Sequence, residues 1–161
     1  MQAFKRILVP IDHSDHTPRI LVYAFAFGKA FDLDIFVLHV VDSRILQPMP
    51  YSYRQIDPEY YSRHSKEDVV GEIKKAVQKE IDNGITFEHG LNVTVSVREG
   101  IPYDQIIKVA HEKSADFIVM GTRGHTGLEE MFLGGVASKV SRRADCPVFL
   151  VRTRNTIQKK D

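Results

Sequence analysis

The most informative part of the chain reads DFIVMGTRGHTGLEEMFLGGVASKV, over residues 116–140. Its opening apolar run is typical of a buried strand and ends directly at Gly121. Gly124 follows three residues later, and the pair Gly134 and Gly135 opens a segment of helical character. Glycine lets backbone approach a ligand closely, and a helix start offers N–H groups and a dipole that favour phosphate. This order of strand, glycine-rich loop and helix indicates a phosphate site, although the same glycines also suit ordinary turns.

Strand and helix patterns alternate on both sides of this stretch. Most of the apolar runs are apolar on both faces, so we expect parallel strands with helices packed on each side of the sheet. The sequence therefore predicts an α/β fold, an open doubly wound five-stranded parallel sheet with about four helices. The predicted strands are residues 7–11, 34–42, 91–98, 116–120 and 147–151, and the predicted helices follow Thr17, span 58–83, follow Pro102 and span 134–144.

Local signals set several boundaries of these elements. Thr17 before Pro18 suggests a helix N-cap with proline at the first helical position. Residues 99–102 read as a turn between the third strand and the third helix. Residues 43–57, which contain two prolines and two tyrosines, read as a loop.

Composition limits the classes of function. The 161 residues fit one domain, 1–161, and 43% hydrophobic with 27% charged residues is a globular composition. A net charge of +1 argues against a nucleic-acid partner, and no apolar run is long enough for membrane insertion. No signal peptide is visible, and the single cysteine, Cys146, suits a reducing compartment as a core-edge residue. We therefore expect a cytoplasmic protein.

Several motifs together carry a family resemblance. Gly121, Gly124 and Gly134 have the spacing Gly-x2-Gly-x9-Gly, as in the nucleotide-binding signature of the universal stress proteins. The chain resembles this family over essentially its whole length, and least over residues 43–60. The other matching pieces are ILVPID at 7–12, LHVVD at 38–42, GIP at 100–102 and CPVFLVR at 146–152.

The resemblance implies a fold, a partner and a ligand. The implied strand order is 3-2-1-4-5, as in adenine nucleotide alpha hydrolase-like proteins, with a homodimer through the last strand, Val148–Arg152. The implied ligand is ATP, or AMP or ADP, with Mg²⁺ carried by the nucleotide. The carboxylate of Asp12 would lie near the ribose and the metal, and backbone at Val40 would recognise adenine. The implied cofactor-binding residues are Pro10, Ile11, Asp12, Val40, Met120, Gly121, Arg123, Gly124, Gly134, Gly135 and Val136.

One position departs from the family pattern. Serine or threonine follows the third glycine in the family and contacts phosphate through its hydroxyl, whereas this chain has Gly135. Loss of one hydrogen bond to a charged group costs about 1.5–3 kcal/mol. The backbone amides of Gly135 and Val136 remain, so the departure weakens the expected site without abolishing it.

Other chemistry-bearing residues give weaker signals. His13 and His16 lack the further ligands of a zinc site and are expected beside the pocket mouth. His125 suits either a phosphate contact or solvent. A histidine such as His39, on a buried strand, is more often a satisfied core residue. A group of tyrosines reads either as a lid over the sheet edge or as a partner surface, namely Tyr51, Tyr53, Tyr60 and Tyr61.

Two classes of function remain from the sequence. The first is a regulatory module in stress response, in which ATP occupancy changes the loop over residues 122–133 and thereby the choice of an unknown protein partner. The alternative is a dimeric scaffold that binds no nucleotide. We see no Ser-His-Asp arrangement, P-loop lysine or paired carboxylates, so we do not expect an enzyme. Slow ATP hydrolysis with Asp12 holding Mg²⁺ stays open.

Overall fold

The computed structural model describes residues 4–12, 14, 16–43, 66–82, 91–122 and 133–152. These residues form a five-stranded parallel sheet in the order β3-β2-β1-β4-β5. The predicted α/β fold and strand order are therefore confirmed. In chain order the elements are β1 (Arg6–Ile11), α1 (Thr17–Phe31), β2 (Asp34–Asp42), α2 (Lys66–Asp82), β3 (Val93–Gly100), α3 (Pro102–Glu112), β4 (Phe117–Gly121), α4 (Gly135–Arg143) and β5 (Val148–Val151).

Two hydrophobic layers cover the faces of the sheet. Side chains alternate along the central strand β1, so Ile7 and Val9 pack in the layer of α1, and Leu8 packs in the layer of α3 and α4. Phe25 of α1 is the largest of the fully buried side chains in the described residues. Burial on both faces explains why the strands read as continuous apolar runs and not as alternating ones.

Asp116 ties β1 to the start of β4 at the amino edge of the sheet. Its carboxylate accepts hydrogen bonds from the backbone N–H groups of Lys5, at 2.6 Å, and Arg6, at 2.8 Å. Its own N–H donates to the carbonyl of Arg6 at 2.9 Å. These bonds fix the register of β1 against β4. β4 lies on the side of β1 opposite to β2.

The predicted turn over residues 99–102 is wrong. β3 continues through Gly100 because its pairing with β2 extends to Asp42 opposite Gly100. Gly100 has φ +143°, and a Cβ there would lie 2.8 Å from the Gln105 side chain, so glycine fits this strand end. The next helix, α3, then begins at Pro102 after the N-cap Ile101.

The predicted N-cap of α1 is also wrong. The N-cap is His16, and Thr17 is the first helical residue, with its N–H donating to the carbonyl of Ser14 at 2.9 Å. Pro18 is therefore the second helical residue. A proline is tolerated there as well as at the first position, because the first N–H groups of a helix have no intrahelical acceptor. Thr17 is buried, and its hydroxyl oxygen has no hydrogen-bond partner among the residues that the structure describes.

We expect Thr17→Val to raise the free energy of unfolding by about 1 kcal/mol, because it removes a buried hydroxyl that makes no hydrogen bond to a described residue. If Thr17 were the N-cap, Thr17→Val would instead lower the free energy of unfolding by about 1 kcal/mol. Urea unfolding of wild type and Thr17→Val measures this difference. Thr17→Ser is the matched control, since it keeps the hydroxyl and is expected to show no gain.

Some predicted features lie outside the described residues. They are the start of the second helix before Lys66, its stop at residues 83–84 and the loop over 44–57. Within the part of the chain that is described, no helix is both long and apolar enough to cross a membrane.

Candidate functional site

The candidate site lies at the carboxyl edge of the sheet, where all five parallel strands end. β1 pairs with β2 on one side and with β4 on the other, so the strand order reverses beside β1. Ligands of open α/β sheets bind outside the strand ends at such a reversal. Of the ligand contacts that the family resemblance implies, six lie in or directly after β1, β2 and β4, namely Pro10, Ile11, Asp12, Val40, Met120 and Gly121. Three more, Gly134, Gly135 and Val136, lie at the start of α4.

The start of α4 is held against the end of β4. The N–H of Gly134 donates to the carbonyl of Thr122 at 2.8 Å, and the N–H of Thr122 donates to the carbonyl of Val151 at 3.0 Å. The first intrahelical hydrogen bond of α4 runs from the N–H of Ser138 to Gly134. The N–H groups of residues 135–137 therefore have no acceptor within the helix.

The electrostatics of this helix start suit an anion. No side chain among the described residues caps it, its first turn contains no acidic residue, and its last turn carries Arg142 and Arg143. Gly135 is exposed, and a Cβ built there would meet no atom within 4 Å in the described part of the chain. Open N–H groups at the positive end of a helix dipole attract phosphate or carboxylate.

Asp12 organises the loop between β1 and α1. Its carboxylate accepts a hydrogen bond from the N–H of Ser14 at 3.1 Å, and the Ser14 hydroxyl accepts one from the N–H of His16 at 3.4 Å. Such Asx-type bonds satisfy backbone groups locally and order a turn. The carboxylate is half-buried, so it combines a structural role in the loop with access to solvent.

His39 joins the ends of β1 and β2 beneath the site. It is 2% exposed, and its Nδ1 lies 3.0 Å from the carbonyl oxygen of Ile11. Because a carbonyl oxygen only accepts, Nδ1 donates this bond. Ile11 precedes Asp12 and His39 precedes Val40, so the bond ties together the two strand ends that carry these residues. The sequence signal was a lone polar residue within an apolar run, which buried strands retain only when it is hydrogen-bonded.

The remaining candidates divide into two groups. Arg123, Gly124, His13, His125 and the four tyrosines lie outside the described residues. Cys146 is partly buried, and burial raises the pKa of its thiol, which agrees with a core-edge residue and not with a reactive thiolate. Among the described residues, no group of three or more His, Cys, Asp or Glu side chains is arranged to hold a metal ion.

Comparison with known proteins agrees with this geometry. The model of the universal stress protein family matches residues 3–152. The chain belongs to the universal stress protein family. It is 35% identical over 149 residues to universal stress protein MJ0531 of Methanocaldococcus jannaschii, covering 92% of this chain and 82% of that protein.

Solved structures of the family share the fold. The structure of protein MJ0577 has a TM-score of 0.71 at 27% identity, covering 96% of this chain and 100% of that one. A universal stress protein in complex with cAMP has a TM-score of 0.63 at 19% identity, covering 95% and 100%. A universal stress protein of Archaeoglobus fulgidus in complex with dAMP has a TM-score of 0.58 at 22% identity, covering 92% and 98%. Universal stress proteins are generally regulatory proteins and not enzymes, in agreement with the expectation from the sequence.

Proposed function

We propose that this chain is a regulatory module of one domain, residues 1–161, that binds an adenine nucleotide at the carboxyl edge of its sheet. The observation that carries the proposal is the start of α4, where N–H groups without an intrahelical acceptor, an exposed glycine and a first turn without an acidic residue form an anion site beside the end of β4. Two proteins of the same fold, whose structures are complexes with cAMP and dAMP, support an adenine nucleotide as the class of ligand. We propose that the module acts in the cytoplasm during stress.

Each proposed contact follows from the chemistry of its position. Backbone N–H groups of Gly135 and Val136 would bind phosphate oxygens, and backbone at Val40 would bind the adenine edge. Pro10, Ile11, Met120 and Gly121 would line the ribose and base, and this face is built from the buried ends of β1 and β4. The family motif alone assigns phosphate contacts to Arg123 and Gly124.

Asp12 fits a magnesium ion that arrives with the nucleotide. Mg²⁺ keeps several waters and is usually bound by one or two carboxylates plus substrate phosphates, so a single half-buried carboxylate beside a phosphate site is sufficient. When bound, the ion would neutralise phosphate charge. Asp12 itself would orient the ion while keeping its hydrogen bond to the N–H of Ser14.

Asp12→Asn tests the proposal because it removes the charge and keeps an oxygen acceptor for the N–H of Ser14. We expect it to weaken Mg-ATP binding by about 10-fold in calorimetric titration and to leave metal-free ATP binding nearly unchanged. Asp34→Asn at the amino edge is the matched control, since its partner Asn92 keeps an acceptor. Equal affinities of the two variants for Mg-ATP would contradict the assigned role.

His39 offers a second test, in which only the position of the donor changes. His39→Asn keeps a nitrogen near the position of Nδ1, whereas His39→Gln places its nitrogen near the position of Nε2. We expect His39→Gln to weaken nucleotide binding about 5- to 10-fold through loss of the bond to Ile11, and His39→Asn to stay within about twofold of wild type. The same loss in both variants, measured at equal folded fraction, would remove His39 from the support of the site.

We further propose that two copies pair through β5. In the described residues β5 pairs with β4 alone, and its sequence VFLV contains neither charge nor proline to protect the free edge. Exposed apolar edge strands promote aggregation unless they are paired or covered. Antiparallel pairing of Val148–Arg152 with its copy would remove the edge.

Gly135 favours the alternative function, a dimeric scaffold that binds no nucleotide. The position has room for a side chain, yet it lacks the hydroxyl that the family places there. A chain that pairs with itself and leaves Mg-ATP unbound at millimolar concentration would be such a scaffold. Measuring affinity and oligomeric state on the same sample separates the two functions.

A further inference from the structure

Two cations of α4 stand over one aromatic ring between α3 and α4. The Nζ of Lys139 lies 4.7 Å from the ring centroid of Tyr103, and the Cζ of Arg143 lies 5.1 Å from it. Tyr103 belongs to the first turn of α3, which begins at the carboxyl edge of the sheet directly after β3. The ring therefore keeps the Lys139 ammonium on the side of α4 that faces α3, near the edge where the proposed nucleotide site lies.

Lys139 lies one helical turn from the open start of α4. It follows Gly135 by four residues, a rise of about 6 Å, so the two positions share one face of the helix. Helix side chains lean toward the amino end of their helix and cover the turn that precedes them. The Lys139 side chain therefore covers the turn that begins at Gly135, where a Cβ would meet no atom within 4 Å in the described residues.

The charge of Lys139 is not neutralised within the described part of the chain. Lys139 forms no ion pair there, and the first turn of α4 contains no acidic residue. Arg143 follows four residues later on the same face, and like charges at this spacing repel each other. An ammonium has three N–H donors, so contact with a ring face leaves donors for an oxygen. An anion at the helix start would thus meet a cation as well as backbone N–H groups.

We propose that Lys139 binds the phosphate groups of the nucleotide and supplies the side-chain contact that Gly135 lacks. This inference rests on the nucleotide site proposed above and names the side chain that gives this site a positive charge. A hydrogen bond from an ammonium to phosphate is charge-assisted at both ends, so it can stand in for a bond from a hydroxyl. Tyr103 is a positioning residue, because a side chain that is already restrained loses less entropy on binding.

Calorimetric titration of the full chain with Mg-ATP tests the inference. Lys139→Gln removes the charge and keeps a side chain of similar length and helix propensity. We expect it to weaken Mg-ATP binding about 10- to 30-fold. Lys139→Arg keeps a cation at the same place and is expected to stay within about threefold of wild type. Circular dichroism and the urea midpoint establish that each variant is folded.

Arg143→Gln is the matched control. It removes the same charge from the same ring, but Arg143 lies eight residues, about 12 Å, beyond Gly135 along α4. A charge at that distance is largely screened at physiological ionic strength, so we expect Mg-ATP affinity within about threefold of wild type. Added KCl is expected to weaken Mg-ATP binding less steeply in Lys139→Gln than in Arg143→Gln, because a direct phosphate contact has been lost. A purely structural role of Lys139 would leave this salt dependence unchanged.

The outcomes separate this inference from the nucleotide site on which it rests. A loss confined to Lys139→Gln, with the shallower salt dependence, supports the contact between Lys139 and phosphate. Equal Mg-ATP affinities of Lys139→Gln and Arg143→Gln would overturn the inference and leave the nucleotide site in place. A wild-type chain that leaves Mg-ATP unbound at millimolar concentration would overturn both.

Discussion

Gly135→Ser is expected to tighten Mg-ATP binding by about 10- to 100-fold. A serine hydroxyl at this position would donate a hydrogen bond to a charged phosphate, which contributes about 1.5–3 kcal/mol. The start of α4 has room for the change, because a Cβ on Gly135 meets no atom of the described residues within 4 Å. Calorimetric titration of both proteins with Mg-ATP measures the ratio of their dissociation constants.

Gly135→Ala is the matched control for this substitution. It adds the same Cβ and the same gain in helix propensity but no hydroxyl, so its affinity is expected to equal that of wild type within about threefold. If Gly135→Ala and Gly135→Ser bind Mg-ATP equally, the hydroxyl makes no phosphate contact and the proposed place of the phosphates is wrong. If only Gly135→Ser binds, the natural chain is the scaffold of the alternative function.

Phe25→Ala is expected to lower the free energy of unfolding by about 3–5 kcal/mol. Phe25 is 0% exposed in the layer between α1 and the sheet, and its truncation leaves a cavity that the surrounding strands cannot fill. Urea unfolding monitored by circular dichroism gives the difference from wild type.

Val22→Ala is the control on the same helix. Val22 is 47% exposed, so its truncation is expected to change stability by no more than about 0.5 kcal/mol. A loss below about 1 kcal/mol for Phe25→Ala would contradict the packing described for this layer.

Strands made of continuous apolar runs were predictable from the sequence. β2 spans Asp34–Asp42 as predicted, because its run is apolar on both faces and bounded by aspartates. The end of β3 was not predictable, since it depends on a partner strand that continues to pair as far as Gly100. The N-cap of α1 was misassigned because threonine before proline suits two adjacent helix positions, and tertiary burial of Thr17 decides between them.

The candidate site was predictable mainly through motifs that follow strands. Gly121 and Asp12 follow from the rule that ligands meet the carboxyl ends of parallel strands, and Gly134 follows from the glycine pair that opens a helix. The hydrogen bond from His39 to Ile11 and the ring contacts of Phe27 join residues far apart in sequence, so no local pattern reports them. These contacts are therefore visible only in three dimensions.

The most direct test of nucleotide binding at the carboxyl edge is a ¹H–¹⁵N NMR titration of the full chain with Mg-ATP. We predict saturable shifts for the amides of Val40, Gly121, Gly134 and Gly135, with none at the amino edge around Lys5 and Asp116. Shifts at the amino edge alone, or no shifts at millimolar Mg-ATP, would contradict the proposed function.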